Sequence, residues 1–556
     1  LQAAVEGAVV RLRPILMTSF AFVAGLLPLM FASGAGALGN RSIGVASVGG
    51  MLIGTVIGVL VIPGLYVLFS SKRRKKKIEV TGTVLLVFIF LSACSVKNDV
   101  KDVASPPSGL PTTYFSEQVA DSLSVAVKPW RELFKDEALV KLIDTALVYN
   151  KDMRQTLHRI EQAKASLRLK KGAMLPNLDV VAEAGLRKYG FYTMDGIGNY
   201  DTNFSDNLKE DEKLPDPLPD YFVGLRTSWE IDIWGKLRNQ KSAALNTFLA
   251  SYEAQKLVQT ELVSQIALAY YELISLDEEL EVYNKNIELQ KKALEVVEVK
   301  KSVGMADELG VQQFRAILFN SQAKKEEVLQ RIAILQNHIN FLCGRFDGTV
   351  DRNFYTEQHS LFDSLQLGSP LQLLQNRPDV RQAALNLVAS NKNVQAGRLA
   401  FLPSIVLAPY LGVHSFDLDK LTGSKSVAWG LLGGLTMPVF NQRALRSQYE
   451  YLKAEYGIAF EEYEKTVLNA FKEVRDGIQA AEFIDKRKGL VVQETEATQA
   501  SVTAAYDLFV AGRISYLDIL TAQKSVLDTE ISEISIWREE LNNQVLLYKV
   551  LGGGWR

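Results

Sequence analysis

Apolar and polar residues alternate in several short stretches of the chain. From Val223 to Ile233 the odd positions are apolar or Thr, and the even positions hold Gly, Arg, Ser, Glu and Asp. Residues 427–439 show the same alternation, and so do residues 178–191 and 405–416. A period of two predicts strands with one apolar and one polar face, here two hairpins and four strands. The apolar face fits either the core of a soluble sandwich or the lipid side of an outer-membrane barrel.

Long stretches that contain almost no helix-breaking residues follow each predicted hairpin. Residues 236–302 contain no Pro or Gly, which predicts a helix of roughly 100 Å at ~1.5 Å per residue. Residues 442–509 also contain no Pro, though they contain three glycines, and residues 309–342 and 516–550 predict two returning helices. Helices of this length are typical of coiled coils or helical tubes. Four strands cannot close a membrane barrel, which needs about eight, so we expect closure with other subunits.

The chain also repeats itself. "GAMLPNLDVVAEAGL" at residues 172–186 aligns with "LAFLPSIVLAPYLGV" at 399–413, and "VGMADELGV" at 303–311 aligns with "AGRISYLDI" at 511–519. The first copy carries an extra polar, acidic segment, which we predict to be a loop at residues 193–220. We therefore expect an internal duplication of a strand–helix unit.

The first 93 residues have a different composition from the rest. They hold nine Lys/Arg against two Asp/Glu, whereas the remainder holds 53 against 61. Residues 14–31 and 43–70 are uncharged and predict two transmembrane helices. The cations "KRRKKK" at residues 72–77 predict a cytoplasmic flank. The shorter apolar run at 80–93 is typical of a leader and ends before Cys94.

No pattern in the chain predicts catalysis or metal binding. Two cysteines and four scattered histidines give no zinc or disulfide framework, and no nucleophile–base motif is visible. The acidic body argues against a nucleic-acid surface. We therefore expect a protein without enzymatic activity, metal or cofactor, apart from covalent lipid on Cys94.

Residues 8–70 resemble the last two transmembrane helices of resistance-nodulation-division (RND) efflux pumps. The motifs are "RLRPILMTSFAFVAGLLPLM" and "GAGALGNRSIGVASVGGM". The resemblance implies that Arg11 and Thr18 are remnants of a proton relay, with an interfacial anchor as the alternative for Arg11. The relay aspartates of that family have no counterpart here, so we do not expect pumping. Because the chain begins with Leu, we expect a fragment or a misjoined reading frame.

From Cys94 onward the chain resembles the lipoprotein branch of TolC/OprM-type outer-membrane factors. The motifs are "PWRELFKDEALVKLIDTAL", "QNRPDVRQA" and the two glycine-containing motifs above. The resemblance implies an α+β membrane protein, in which a homotrimer forms a twelve-stranded outer-membrane barrel and a long periplasmic α-helical barrel. It further implies a passive export duct, coupled to a periplasmic adaptor and an inner-membrane RND or ABC pump.

These observations predict the following division of the chain. We expect an RND fragment with transmembrane helices in the inner membrane, a leader-like segment, a lipidated tether, a first repeat, an equatorial linker and a second repeat. Their respective bounds are 1–71, 72–93, 94–130, 131–343, 344–370 and 371–556. Residues 94–556 are expected in the outer membrane, with a periplasmic extension.

Several residues are candidates for specific roles. Small Ser92 and Ala93 before Cys94 predict lipid attachment there, with an incidental core cysteine as the alternative. The resemblance implies a gate at the periplasmic tip, where Gly310 takes the place of Asp518 in the first copy. The candidate gate residues are Gly304, Asp307, Glu308, Gly512, Arg513 and Asp518. Ordinary solvated charges at helix ends are the alternative reading for the charged members.

Two other functions remain open from the sequence. A structural coiled-coil lipoprotein would explain the helices but not the amphipathic strands. An active RND transporter is suggested by the first 71 residues alone.

Overall fold

The chain divides into two compact units, Leu1–Ser95 and Val96–Arg556. The computed structural model describes residues 16–26, 47–48, 51, 55, 110–111, 113–115, 124–352, 361, 367–438, 442–511 and 513–556. Element bounds below refer to these residues.

In the first unit, residues 16–26 are helical. The Thr55 hydroxyl lies 2.7 Å from the Ser19 hydroxyl and donates to the Met51 carbonyl at 2.6 Å. Most of the predicted spans at 14–31 and 43–70 lies outside the described residues, as do the leader-like run and Cys94. Within the part of the chain that is described, no helix has both the length and the apolarity to cross a membrane.

The second unit is mostly helical. It begins with three helices, α1 (Trp130–Leu133), α2 (Glu137–Tyr149) and α3 (Lys151–Gly172). Asp136 caps α2 by accepting from the Ala138 amide, and Asn150 caps α3 by accepting from the Asp152 amide, so each helix start is set by a local side chain.

Four strands form one antiparallel sheet in the order β1-β2-β3-β4. They are β1 (Asn177–Arg187), β2 (Leu218–Ile231), β3 (Ser404–Ser415) and β4 (Val427–Thr436). The predicted four strands are confirmed, although β2 begins five residues before the predicted start at Val223 and the other three end one to four residues early. The predicted loop at 193–220 contains a nine-residue helix, α4 (Met194–Thr202). Thr193 caps it by accepting from the Gly196 amide, although two glycines within it weaken the sequence pattern.

The predicted long helices are confirmed closely. They form two hairpins, α5 (Lys236–Ser302) with α6 (Glu308–Leu342), and α9 (Gln442–Val510) with α10 (Tyr516–Val550). The outgoing helices have 67 and 69 residues and each returning helix has 35. Between the hairpins lie α7 (Pro370–Asn376) and α8 (Pro378–Leu399), each with Pro in its first turn.

The main core surrounds the middle of α5. Ile266, Tyr270 and Leu273 are fully buried there. They belong to a cluster that also contains Phe134, which follows α1, Ile143 of α2 and Tyr548 of α10, and α5 packs directly against α2 and α10. The Tyr270 hydroxyl hydrogen-bonds Asp136 at 2.5 Å, which satisfies the polar tip of this ring.

Candidate functional site

The first helical turn joins α5 to α6 through Gly304. Its φ of 76° is left-handed, a conformation that glycine adopts without strain. The Met305 amide donates to the Lys300 carbonyl at 2.8 Å, which closes the end of α5. Gly304 therefore lies between the end of α5 and the start of α6, and its role in a gate stays a prediction.

The carboxylates of this turn are engaged locally. Asp307 caps α6 by accepting from the Gly310 amide at 2.8 Å. Glu308 forms an ion pair with Lys301 and accepts from Gln312 at 2.5 Å. These two hydrogen bonds, with the Lys301 charge, lower the pKa of the Glu308 carboxyl, which is fully exposed. Both acids therefore hold the start of α6.

Gly310 lies beneath an aromatic ring of the other hairpin. A β-carbon at Gly310 would lie 3.2 Å from Cζ of Tyr516 and 3.3 Å from the Asp307 carboxylate. A carboxylate at this position would therefore displace the Tyr516 ring. This contact explains physically why the first copy has glycine where the second has Asp518.

The second turn joins α9 to α10. Asp518 accepts from the Ser515 amide at 2.8 Å and from its hydroxyl at 2.9 Å, which forms a capping box at the start of α10. Arg513 is exposed, and its side chain forms no ion pair with another described residue. Gly512 lies outside the described residues.

The two turns pack against each other. Val297, Val311, Phe314 and Leu520 form a small buried cluster that joins α5 and α6 to α10. The Lys300 ammonium lies 3.8 Å from the centre of the Phe509 ring, a cation–π contact between α5 and α9. We name these residues the tip cluster. The sequence did not predict it, because the spacing of residues along one hairpin does not show which other hairpin packs against it.

The sheet has two different faces. The row Val180, Leu225, Leu411 and Trp429 crosses all four strands in register, and each of these side chains is exposed. The opposite face carries the charged pairs, although Val181 and Leu432 also lie on it: Arg226 pairs with Glu183, and Asp220 hydrogen-bonds His414 at 2.5 Å. The predicted alternation is therefore confirmed, and no described element of the second unit covers the apolar face.

The structure shows less about the other residues that the sequence analysis singled out. Arg11 and Cys94 lie outside the described residues, and Thr18 is exposed on the helical segment 16–26. Cys343 is buried beside α2, and burial raises the pKa of its thiol. Among the described side chains, no group of His, Cys, Asp and Glu could hold a metal ion.

A small antiparallel sheet with an exposed apolar face, joined to helical hairpins too long for a compact domain, defines a class of channel-forming membrane proteins. Residues 142–345 and 370–553 match the family of outer membrane efflux proteins, and the chain belongs to this family. Residues 1–70 match the AcrB/AcrD/AcrF family, as the RND resemblance implied.

Relatives and solved structures agree with this assignment. The chain is 30% identical to the solvent efflux pump outer membrane protein SrpC of Pseudomonas putida, over 85% of this chain and 97% of the relative. It is 26% identical to the cation efflux system protein CusC of Escherichia coli, over 84% and 98%. The structure of the Campylobacter jejuni CmeC outer membrane channel shares the fold, with a TM-score of 0.71, 23% identity, and coverage of 82% and 94%.

Proposed function

We propose that the second unit is one subunit of a homotrimeric outer-membrane export duct. The observation that carries this proposal is the sheet. Its apolar face is exposed along the row from Val180 to Trp429, and its edge strands β1 and β4 each pair on one side only. Unpaired edges are not tolerated in lipid, and four strands are about half the number that closes the smallest membrane barrels. Three copies would supply the twelve strands of one barrel.

The long helices support the same assembly. Helix α9 leaves large apolar side chains uncovered within the chain: Tyr451, Ile458, Leu468, Phe483 and Leu490 are each more than 60% exposed. Neighbouring subunits would cover them in a helical tube that continues the barrel. The two repeats proposed from the sequence, 131–343 and 371–556, each contain one hairpin of strands and one of helices.

Passive export follows from this architecture. The relatives are named as outer membrane proteins of solvent and cation efflux systems. By analogy, the duct would receive cargo from an inner-membrane pump through a periplasmic adaptor, without catalysis or a cofactor. A structural coiled-coil rod is disfavoured, because a rod has no use for an exposed apolar sheet face.

The test combines assembly and conduction. Detergent-solubilised protein is expected to sediment as a trimer and to form ion-conducting channels in planar bilayers. Ile231→Asp, on the apolar face, should hinder insertion, whereas Ser228→Asp, on the polar face of the same strand, should not. A stable monomer that forms no channels would contradict the proposal.

For the first unit we propose a remnant of an RND pump that stays in the inner membrane, followed by a working lipoprotein leader. Mature protein would then begin at Cys94 and carry lipid. Mass spectrometry of the membrane fraction checks this, with Cys94→Ala as the matched control that removes the acceptor sulfur. An intact, unacylated chain of 556 residues would contradict it.

At the inner end of the duct we propose that the two turns form the gate. Gly304, Asp307, Glu308, Gly512, Arg513 and Asp518 would lie there, and threefold repetition of the carboxylates would favour cations. Asp518→Asn keeps a cap for α10 but removes the charge, whereas Asp518→Ala removes both. Both variants should reduce block by magnesium in single-channel recordings. Asp528→Ala, farther along α10, is the control and should leave the block unchanged; equal block in all variants would limit Asp518 to capping.

A further inference from the structure

Four helices adjoin the sheet and form one layer. Helices α3 and α8 lead into β1 and β3, whereas α5 and α9 follow β2 and β4. In the layer α3 packs against α5, α5 against α8, and α8 against α9. Ser166 and Lys170 of α3 and Gln448 and Leu452 of α9 line one cavity, together with residues of α5 and α8. Because only the concave side of a curved layer brings its first and last helices to one cavity, this cavity marks the concave side.

Each of these helices carries arginine on the opposite, convex side. At about 100° per residue, these arginines point about 140–180° away from the mean direction of the cavity-lining residues of their own helix. All lie within four residues of the helix end that adjoins the sheet. They are Arg168 of α3, Arg238 of α5, Arg398 of α8, and Arg443 and Arg446 of α9. We name these five residues the arginine belt.

The charge of the belt is only partly balanced within the chain. Arg238 pairs with Asp232 at 3.3 Å, and Arg446 pairs with Glu450 at 3.5 Å. Arg168 and Arg443 are exposed, and neither forms an ion pair with another described residue. Helix stability does not explain the cations of α9, because positive charge near a helix start opposes the helix dipole. The first turn of α9 also contains no acid that would offset this repulsion.

The belt lies directly below the apolar face of the sheet. The indole N–H groups of Trp229 and Trp234 donate to the carbonyls of Met174 and Pro403, at 3.0 and 2.7 Å, in the connections that lead into β1 and β3. Indoles are typical of the membrane–water interface. Four helical residues span about 6 Å, and the headgroup layer on each side of a bilayer is about 5–8 Å thick. The belt therefore lies at the depth of the headgroups.

The other end of the sheet has the opposite charge. The connection between β1 and β2, residues 188–217, contains three Lys and seven Asp or Glu. Cations are therefore concentrated at one rim of the sheet and acids at the other, so the belt is not a general property of the residues that flank the strands.

We propose that the arginine belt binds the phosphate groups of anionic phospholipids in the leaflet that faces the helices. This inference rests on the proposed function, which places the apolar sheet face in lipid and the convex side of the helices outside the duct. The planar guanidinium donates two parallel N–H groups to two phosphate oxygens, a geometry that a lysine ammonium does not offer. Five arginines in each of three subunits would surround the duct and fix its depth in the membrane.

The test counts the lipids that the trimer retains. Trimer purified in detergent is mixed with equal amounts of phosphatidylglycerol and phosphatidylcholine, and native mass spectrometry measures the ratio of the two bound lipids. Wild type is expected to prefer phosphatidylglycerol. Arg168→Gln/Arg443→Gln/Arg446→Gln should lower this preference at least about fivefold, since one cation near an anionic surface contributes roughly that factor in affinity. Replacement of the same three residues by Lys, which keeps the charge, should retain part of the preference.

The matched control removes three charges from the same layer of helices, farther from the sheet. Lys465→Gln/Lys472→Gln/Lys486→Gln changes three exposed cations of α9 and should keep the wild-type preference. An equal loss in this control, or an unchanged preference in the arginine-to-glutamine variant, would overturn the inference. Excess inorganic phosphate should not displace phosphatidylglycerol; displacement would mean a site for small phosphates and would also overturn it.

The same material separates this inference from the proposed function. A trimer that conducts ions but shows no preference for phosphatidylglycerol would overturn the lipid site alone. Wild-type protein that forms neither trimers nor channels would overturn the proposed function, and the lipid site with it.

Discussion

The two helical hairpins have nearly the same lengths but very different surroundings. Helix α5 buries 21 of its 67 residues, whereas six of the 67 residues of α9 whose burial the structure describes are buried: Val467, Ala470, Val474, Ile484, Thr495 and Ala505. Helix α5 contacts α2, α3, α6, α8 and α10 within the chain. The same local design therefore serves one helix that is packed inside the subunit and one that faces out of it.

The interactions that hold the two helices differ accordingly. Helix α5 is held by the apolar core around Ile266 and Tyr270. Val467, Ala470 and Val474 of α9 belong to the same core, and polar contacts add to it. The guanidinium of the nearly buried Arg377 lies 2.8 Å from Glu473, and Arg487 of α9 pairs with Glu539 of α10 at 3.0 Å. The comparison supports the proposal that another subunit covers the exposed apolar side chains of α9.

The largest expected effect is on assembly. Leu468→Asp would place an unpaired charge in each of the proposed subunit contacts, at a cost of about 3–5 kcal/mol per contact. We expect loss of the trimer in analytical ultracentrifugation with detergent. Gln493→Asp adds the same charge to an exposed polar position of α9 and should leave the trimer intact. A trimer that survives Leu468→Asp would show that α9 faces water.

The next effect is on the fold of the subunit. Ile266 is fully buried in α5, so Ile266→Ala leaves a cavity and should cost about 2–5 kcal/mol of stability. A lower melting temperature of the helical circular dichroism signal checks this. Leu289 of the same helix is 58% exposed, and Leu289→Ala is the control. Equal shifts for both variants would mean that the core does not dominate the stability of this hairpin.

A smaller effect concerns pH. Burial raises the pKa of Glu279 on α5, with Glu272 and Glu327 acting in the same direction and Arg331 and Arg538 opposing them. Because the folded state holds this proton more tightly than the unfolded chain, stability contributed by the protonated form is lost as pH rises from about 4.5 through the raised pKa. The melting temperature of Glu279→Gln relative to wild type should therefore increase with pH across this window. Parallel curves for the two proteins would contradict the shift.

The smallest effect is expected from the ion pairs along the second hairpin. Arg487 and Glu539 are both about half exposed, so Arg487→Ala should cost less than about 1 kcal/mol, and less still in high salt. The melting temperature at low and high salt measures this. Lys486→Ala, which breaks the ion pair of Lys486 with Glu482 within α9, is the control. A large, salt-independent loss for Arg487→Ala would mean that polar contacts alone hold α9 to α10.

Much of this fold was predictable from the sequence, because its elements are long and their patterns are local. The bounds of α5 follow from an uninterrupted run without Pro or Gly that ends just before Gly304. Helix α9 continues through three glycines, and Gly477 has a structural use, since a β-carbon there would lie 2.7 Å from Leu547 of α10. Such a close approach depends on which helices are neighbours, and one sequence does not reveal neighbours.

The sequence predicts where the candidate site lies along the chain, but not which residues contact one another there. The glycine turns and their acids follow from the repeat. The Tyr516 ring lies over Gly310, and the Phe222 ring lies over Gly412. In each contact the two residues are far apart in the chain. Both contacts fill space left by a glycine, and a missing side chain gives no sequence signal of what lies above it.

The tip cluster has a mechanical consequence. It joins the free ends of two hairpins that also meet in the main core, around the middle of α5 and α9, so the two hairpins of a subunit are fixed to each other at two levels. A force on one turn is therefore transmitted to the other, and the two hairpins must tilt or twist as one unit. A trimer would therefore have three moving parts at its inner end instead of six.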